Sequence, residues 1–153
     1  MIEDAALPEI QILSIESIDE LADRLPRKKK YFTLLIAWDA PEIDGNFLAE
    51  LFAPLVSSGL AYFCAWGERC EEVHDAIDDC FIEHELEVRE ADPFLMTTWH
   101  QEESLEEAFW FFRMVAVPTE NSVLANLERF AVAVGNPQWA HEMTANHSKT
   151  DLG

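Results

Sequence analysis

Phe32-Thr33-Leu34-Leu35-Ile36-Ala37-Trp38, Leu60-Ala61-Tyr62-Phe63-Cys64-Ala65-Trp66 and Phe94-Leu95-Met96-Thr97-Thr98-Trp99 are the stretches that decide the fold. They lead into Asp39, Gly67 and His100, respectively. The first two are apolar almost throughout, the mark of strands covered on both faces rather than on one. A fourth run, Phe130–Val134, opens into Gly135-Asn136-Pro137-Gln138 and reaches Trp139. As parallel strands, the four place their carboxyl ends along one edge, where open α/β sheets hold ligand crevices.

Helical patterns separate these runs. Ser17-Ile18-Asp19-Glu20 has the form of a capping box and starts a helix that Pro26 closes. Asp44-Gly45 starts a second, with Phe47, Leu48, Leu51, Phe52 and Leu55 inward, and Pro54 predicts a kink or an end there. A long helix is expected from about Glu68 to Glu85. At 100° per residue, Cys70, Val73, Ile77, Cys80, Phe81 and His84 share one stripe, with most acids outside it. Ser104-Leu105-Glu106-Glu107 opens another helix, through about Val115. Glu9–Leu13 reads as a short edge strand, Arg129–Val134 as the last strand and Pro137–Met143 as a short helix. Residues 119–128 fit a loop or a helical turn. Residues 1–9 read as a loose lead-in and 145–153 as a polar tail. Strands alternating with helices predict a single three-layer α/β domain, Rossmann-like or flavodoxin-like. Its sheet would be mainly parallel, with four or five strands.

At 153 residues the chain suits one domain. No run is long and apolar enough for a membrane helix. Met1-Ile2-Glu3-Asp4 lacks the basic start of a signal peptide, and three cysteines without metal or redox spacing suit a reducing cytoplasm. The formal charge is −20. Residues 31–153 carry 23 acids against five Lys/Arg, a net of −18, and residues 68–92 hold eleven acids and two arginines. Such a field repels nucleic acid and anionic membranes and speeds encounter with a basic partner. The basic run Arg27-Lys28-Lys29-Lys30 reads as a solvated turn before a buried strand.

Trp38, Asp39, Trp66, Glu68, Arg69, Trp99, His100 and Asn136 are the expected lining of the strand-end crevice. Its sharpest enzymatic reading takes Cys70 as nucleophile in the first helical turn, His100 as base and Asp39 as orienter. Against it, Cys70 also lies on the apolar stripe, and Glu68, Glu71 and Glu72 would raise its pKa. Cys70/His74 and Cys80/His84 each supply two ligand types one turn apart. The pairs are ten residues apart on the helix, about 15 Å, so they cannot share an ion, and no metal is expected. The turns after the first two long strands match neither glycine-rich phosphate loop, so no cofactor is expected. Phe109-Trp110-Phe111-Phe112 cannot all face inward on one helix, which makes helix 104–115 a candidate homodimer surface and Trp110 or Phe111 an anchor.

Leu35-Ile36-Ala37-Trp38-Asp39, Phe63-Cys64-Ala65-Trp66-Gly67 and Thr97-Thr98-Trp99-His100, with the acidic helix between, resemble an uncharacterised bacterial family of small acidic α/β proteins. The resemblance spans about residues 30–136. It implies a bacterial, cytoplasmic protein and carries over no activity or catalytic residue. The expectation is a non-enzymatic interaction protein of inhibitor, immunity or accessory-subunit type. Glu71, Glu72, Asp75, Asp78 and Asp79, with Trp110 and Phe111, would contact a basic protein partner. The alternative is a small hydrolase or a ligand- or nucleotide-binding domain working from the crevice.

Overall fold

A computed structural model describes residues 7–85 and 95–152, with backbone alone at 83–85 and 148–152. Five strands form one all-parallel sheet: β1 Ile10–Ile15, β2 Tyr31–Ala37, β3 Leu60–Trp66, β4 Met96–Trp99 and β5 Leu127–Val134. Their spatial order is β1-β5-β2-β3-β4. Every position of β2 and β5 is buried, as two-faced coverage requires.

Alternation along each strand sorts the core into two layers. Phe32, Leu34 and Ile36, with Phe63, Phe130 and Val132, meet α1 (Leu21–Arg24), α2 (Gly45–Val56) and α3 (Cys70–Glu85). Leu35, Ala37, Cys64, Ala131 and Ala133 meet α4 (Leu105–Met114) and α6 (Pro137–Leu152) on the other side. The fold is therefore the expected α/β sandwich, Rossmann/flavodoxin-like. A third cluster under α5 (Asn121–Leu124) closes the amino-terminal end and takes in Leu7 from the expected loose lead-in.

Local signals behave as their chemistry dictates. Both capping boxes form, at Ser17/Glu20 and Ser104/Glu107, and the Asp44 carboxylate accepts the Asn46 N–H at 3.0 Å. The Ser17 box opens only a 3-10 turn, Ile18–Glu20, and one turn of α1. Pro54 does not end α2, which runs two residues further. The Ser57 N–H still reaches the Ala53 carbonyl at 3.0 Å, so the turn holds without a proline donor. The third long strand starts at Met96, with Phe94 outside the described residues.

Two expectations are corrected. Residues 145–152 are not a tail but the second half of α6. Trp139, Ala140 and Met143 turn inward, and the His147 ring meets Phe109 edge-on at 6.2 Å. One inward residue per turn suffices to dock a helix whose other faces are polar. The basic run is not merely solvated. Arg27 stacks over the Phe32 ring at 3.9 Å, donates to the Lys29, Lys30 and Ser58 carbonyls, and lies 3.4 Å from the buried Glu128 carboxylate. That carboxylate also accepts the Lys28 and Lys29 N–H groups, each at 2.8 Å. The run does hold an anion: the chain's own Glu128.

Candidate functional site

The carboxyl ends of the strands share one edge, and cross-links between loops shape it. The Trp38 N–H donates to the Trp66 carbonyl at 2.9 Å and the Ala40 N–H to Glu68 at 3.1 Å. The Glu68 N–H donates to Asp39 Oδ1 at 3.0 Å. This lacing brings the β3–α3 turn hard against the end of β2. Gly67 (φ 118°) makes the approach, followed by Arg69 in the left-handed region (φ 58°).

Of the clefts on this edge, two hold most of the expected lining. Asp39, Trp66, Glu68, Arg69 and His100 line the first, beyond β2, β3 and β4, together with Glu71, Glu72, Glu102 and Glu103. The second lies between the ends of β2 and β5, where α2 departs on one face of the sheet and α6 on the other. Trp38, Asp39 and Asn136 line it, with Phe47, Trp139, Glu16 and Asp19. The expected crevice is thus divided, with Asp39 on both sides. Trp99 lines neither cleft: its ring turns to the α3 face and packs on His74 at 4.5 Å, 42% exposed.

The three residues of the enzymatic reading are not arranged as a nucleophile, base and orienter. Cys70 is 2% exposed. Burial pushes its thiol up, although the N–H groups of His100, Cys70, Glu71 and Gly67 around the sulfur pull the other way. The buried His100 ring has its nitrogens 3.0 Å from Glu103 Oε1 and 2.9 Å from Thr98 Oγ1, and it packs on Phe111 at 4.8 Å. Asp39 is engaged by the Glu68 N–H instead.

Sequence reasoning missed Thr98 and Glu103. Thr98–His100–Glu103 has the hydroxyl–imidazole–carboxylate order of a catalytic relay. The Thr98 hydroxyl, however, lines neither cleft and lies beside the buried Cys64 thiol, so the relay ties β4 to the loop before α4. The T-x-H-x-x-E spacing was the available signal. A second network, on the α3 face, sets Thr97 Oγ1 at 2.9 Å from His74 Nε2, where it donates to Asp78 Oδ1 at 2.7 Å. His74 Nδ1 lies 3.0 Å from Asp75. These bonds occupy His74, and the His84 side chain lies outside those described. Among the described residues no group of three metal-ligating side chains converges.

The acidic face continues from the first cleft along α3. Asp44, Glu72, Asp75 and Asp79 surround a groove between α2 and α3 floored by Ala49 and Ala76. Glu72 belongs to both the groove and the first cleft, so one surface carries nine carboxylates: Asp39, Asp44, Glu68, Glu71, Glu72, Asp75, Asp79, Glu102 and Glu103. Arg69 is the sole Lys or Arg in that lining. It is already occupied, donating to the Ala40 carbonyl and lying within 3.8 Å of Glu42, Glu68 and Glu72. Asp78 is half-exposed and turns its carboxylate to Thr97 and His74. On α4, Trp110 is 55% exposed, while Phe111 packs against Tyr62 and His100.

The interior makes a pH prediction. Burial pushes the Cys64 thiol from an ordinary 9.0 up to about 12, while the Thr98 hydroxyl and Arg129 pull weakly the other way. The folded chain therefore keeps a proton that the unfolded chain releases above pH 9, and stability falls as pH rises from there. Burial lowers Arg129 to about 10, and that shift acts in the opposite sense only above about pH 10. Between pH 9 and 10 the Cys64 contribution is a loss of about 1 kcal/mol. Urea midpoints across that interval will show the decline, and Cys64→Ala will reduce its slope while the Cys70 part remains.

Fold and edge together define a class: a single three-layer α/β domain with a parallel sheet and a carboxylate-dense face at the carboxyl ends of its strands. The chain belongs to the family described as a domain of unknown function, DUF7684, whose profile matches residues 10–150. Among curated proteins no relative matches the chain. No helix among the described residues is long and apolar enough to cross a membrane.

Proposed function

We propose that this protein is a non-enzymatic binding module that captures a basic protein partner on the acidic face running from the strand ends along α3. The observation that carries the reading is the nine-carboxylate surface, whose single arginine is already engaged by its neighbours. Like charges held this close repel one another, and a cationic surface laid across them relieves that repulsion. The walls suit a basic helix or loop: an apolar strip of Ala49 and Ala76 takes aliphatic stems while the carboxylates meet the charged ends. A bacterial, cytoplasmic setting, with a role of inhibitor, immunity or accessory type, belongs to the same proposal. The hydrolase reading gains nothing from the geometry, since Cys70 is buried and His100 faces Thr98 and Glu103.

The test is capture from native lysate at about 50 mM and 500 mM salt, with mass spectrometry of the retained proteins; screening at the higher value removes surface attraction. Wild type is expected to retain basic proteins at low salt and release them at high salt. The triple reversal Glu72→Lys, Asp75→Lys, Asp79→Lys is expected to lose them at both. Asp78 is left intact because it bonds Thr97. Identical retention by the triple variant would sink the proposal.

A further inference from the structure

The cleft between β2 and β5 differs in chemistry from the α3 face. It encloses about 480 Å³, within the range of small-ligand sites. Three aromatic side chains wall it. Trp38 is 8% exposed at the base, Trp139 stands on the α6 side and Phe47 on the rim. Phe47 is 43% exposed, outside the buried face of α2 (Leu48, Phe52, Leu55 and Val56), which corrects the inward position its spacing predicted. Trp139 is held in place: its ring meets Trp66 edge-on at 5.0 Å, and the Trp66 indole N–H donates to the Glu103 carbonyl at 2.7 Å. Glu16, Asp19 and Asp39 supply three carboxylates, and no Lys, Arg or His lines the cleft.

Aromatic faces attract cations through their quadrupoles, and carboxylates add a direct charge. Phosphate or carboxylate ligands meet only repulsion there, and a purely apolar ligand would strip water from the acids without replacing it. We infer that this cleft binds a small organic cation, an alkylguanidinium or alkylammonium group on an apolar stem. The stem would lie between Trp38 and Trp139, with the charge directed to Glu16, Asp19 and Asp39 and Phe47 closing one side. The cation is either a free metabolite-sized amine or a side chain presented by a protein. Neither source depends on the α3 groove, so this inference goes beyond the function proposed above.

Tryptophan in the wall supplies the readout. Arginine ethyl ester titrated into wild-type protein is expected to change tryptophan emission saturably, with the same midpoint by calorimetry. Nα-acetylcitrulline ethyl ester, neutral because its amine is blocked and its side chain is a urea, is expected to leave emission unchanged. Glu16→Gln with Asp19→Asn, and separately Phe47→Ala, is each expected to weaken binding about tenfold or more. Both sets are surface changes, and unchanged circular dichroism and melting temperature will establish that they fold. The triple α3 reversal is expected to leave the titration intact, which separates this result from the fate of the partner proposal. A short peptide with one central arginine forms the second arm. Ester and peptide binding together indicate a free cation; peptide binding alone, lost in the Phe47→Ala variant, indicates a protein side chain. No saturable response to either probe up to about 1 mM, or equal binding in both variants, overturns the inference.

Discussion

Gly67→Ala is expected to destabilise the protein by about 3 kcal/mol or more, enough to lower its melting temperature by roughly 6–12 °C. Two costs combine. At φ 118° an L side chain is strained wherever it sits, and a Cβ here would also stand 2.1 Å from the Trp38 carbonyl oxygen and 2.6 Å from its carbon. Both contacts are with backbone, and that backbone is fixed, since the Trp38 N–H is bonded to Trp66. Relief therefore requires β2 and β3 to part at their carboxyl ends, which would open the first cleft. Gly45 is the control: nothing lies within 4 Å of a Cβ built there, and its φ is not positive. Gly45→Ala should leave stability within about 1 kcal/mol of wild type, the ordinary glycine-to-alanine effect. Thermal unfolding of the two variants side by side decides the matter, and equal melting points would refute the steric account.

The second large effect is expected at the opposite end of the sheet. Glu128→Ala removes the acceptor of two 2.8 Å backbone bonds from Lys28 and Lys29 and the carboxylate beside Arg27. Charge-assisted bonds of this kind contribute about 1.5–3 kcal/mol each, and a buried donor left unpaired adds its own cost. A loss of about 3–4 kcal/mol in urea unfolding follows. Glu128→Gln keeps one carbonyl acceptor and gives up the charge, so its loss should be about half as large. If the alanine and glutamine variants unfold together, the N–H bonds to the carboxylate carry little and the charge opposite Arg27 carries the effect.

The sequence exposed the parts of the fold that rest on apolar patterning. Leu34, Leu35 and Ile36 in succession, and Phe63 beside Cys64, announce strands covered on both faces, and the serine-led boxes mark two helix starts. The place of β5 between β1 and β2 was not legible, because alternation says which face a residue takes and not which strand lies beside it. Residues 145–152 were missed because a docking helix with one inward residue per turn has the composition of a tail. The Glu128 pairing spans a hundred positions and leaves no local trace. At the edge, strand ends alone point to Asp39, Trp66, Glu68, Arg69 and His100, which line the cleft beyond β2, β3 and β4. Their partners were not legible, since hydrogen bonds such as Thr98 to His100 depend on side-chain direction. Trp99 shows the same limit: its position was foreseen and its ring points elsewhere.

The order β1-β5-β2-β3-β4 also bears on how the molecule is made. Among the described residues β1 has one neighbour in the sheet, β5, so Ile10–Ile15 pairs only with a strand made much later in synthesis. Until residues 127–134 emerge, Ile10–Ile15 has no ladder to join and one edge of β2 stays open. Nascent chains that end before β5 therefore present unpaired strand edges, the surfaces on which aggregation starts. A high density of acid on those same intermediates keeps them apart from one another while they wait for the strand that completes the sheet.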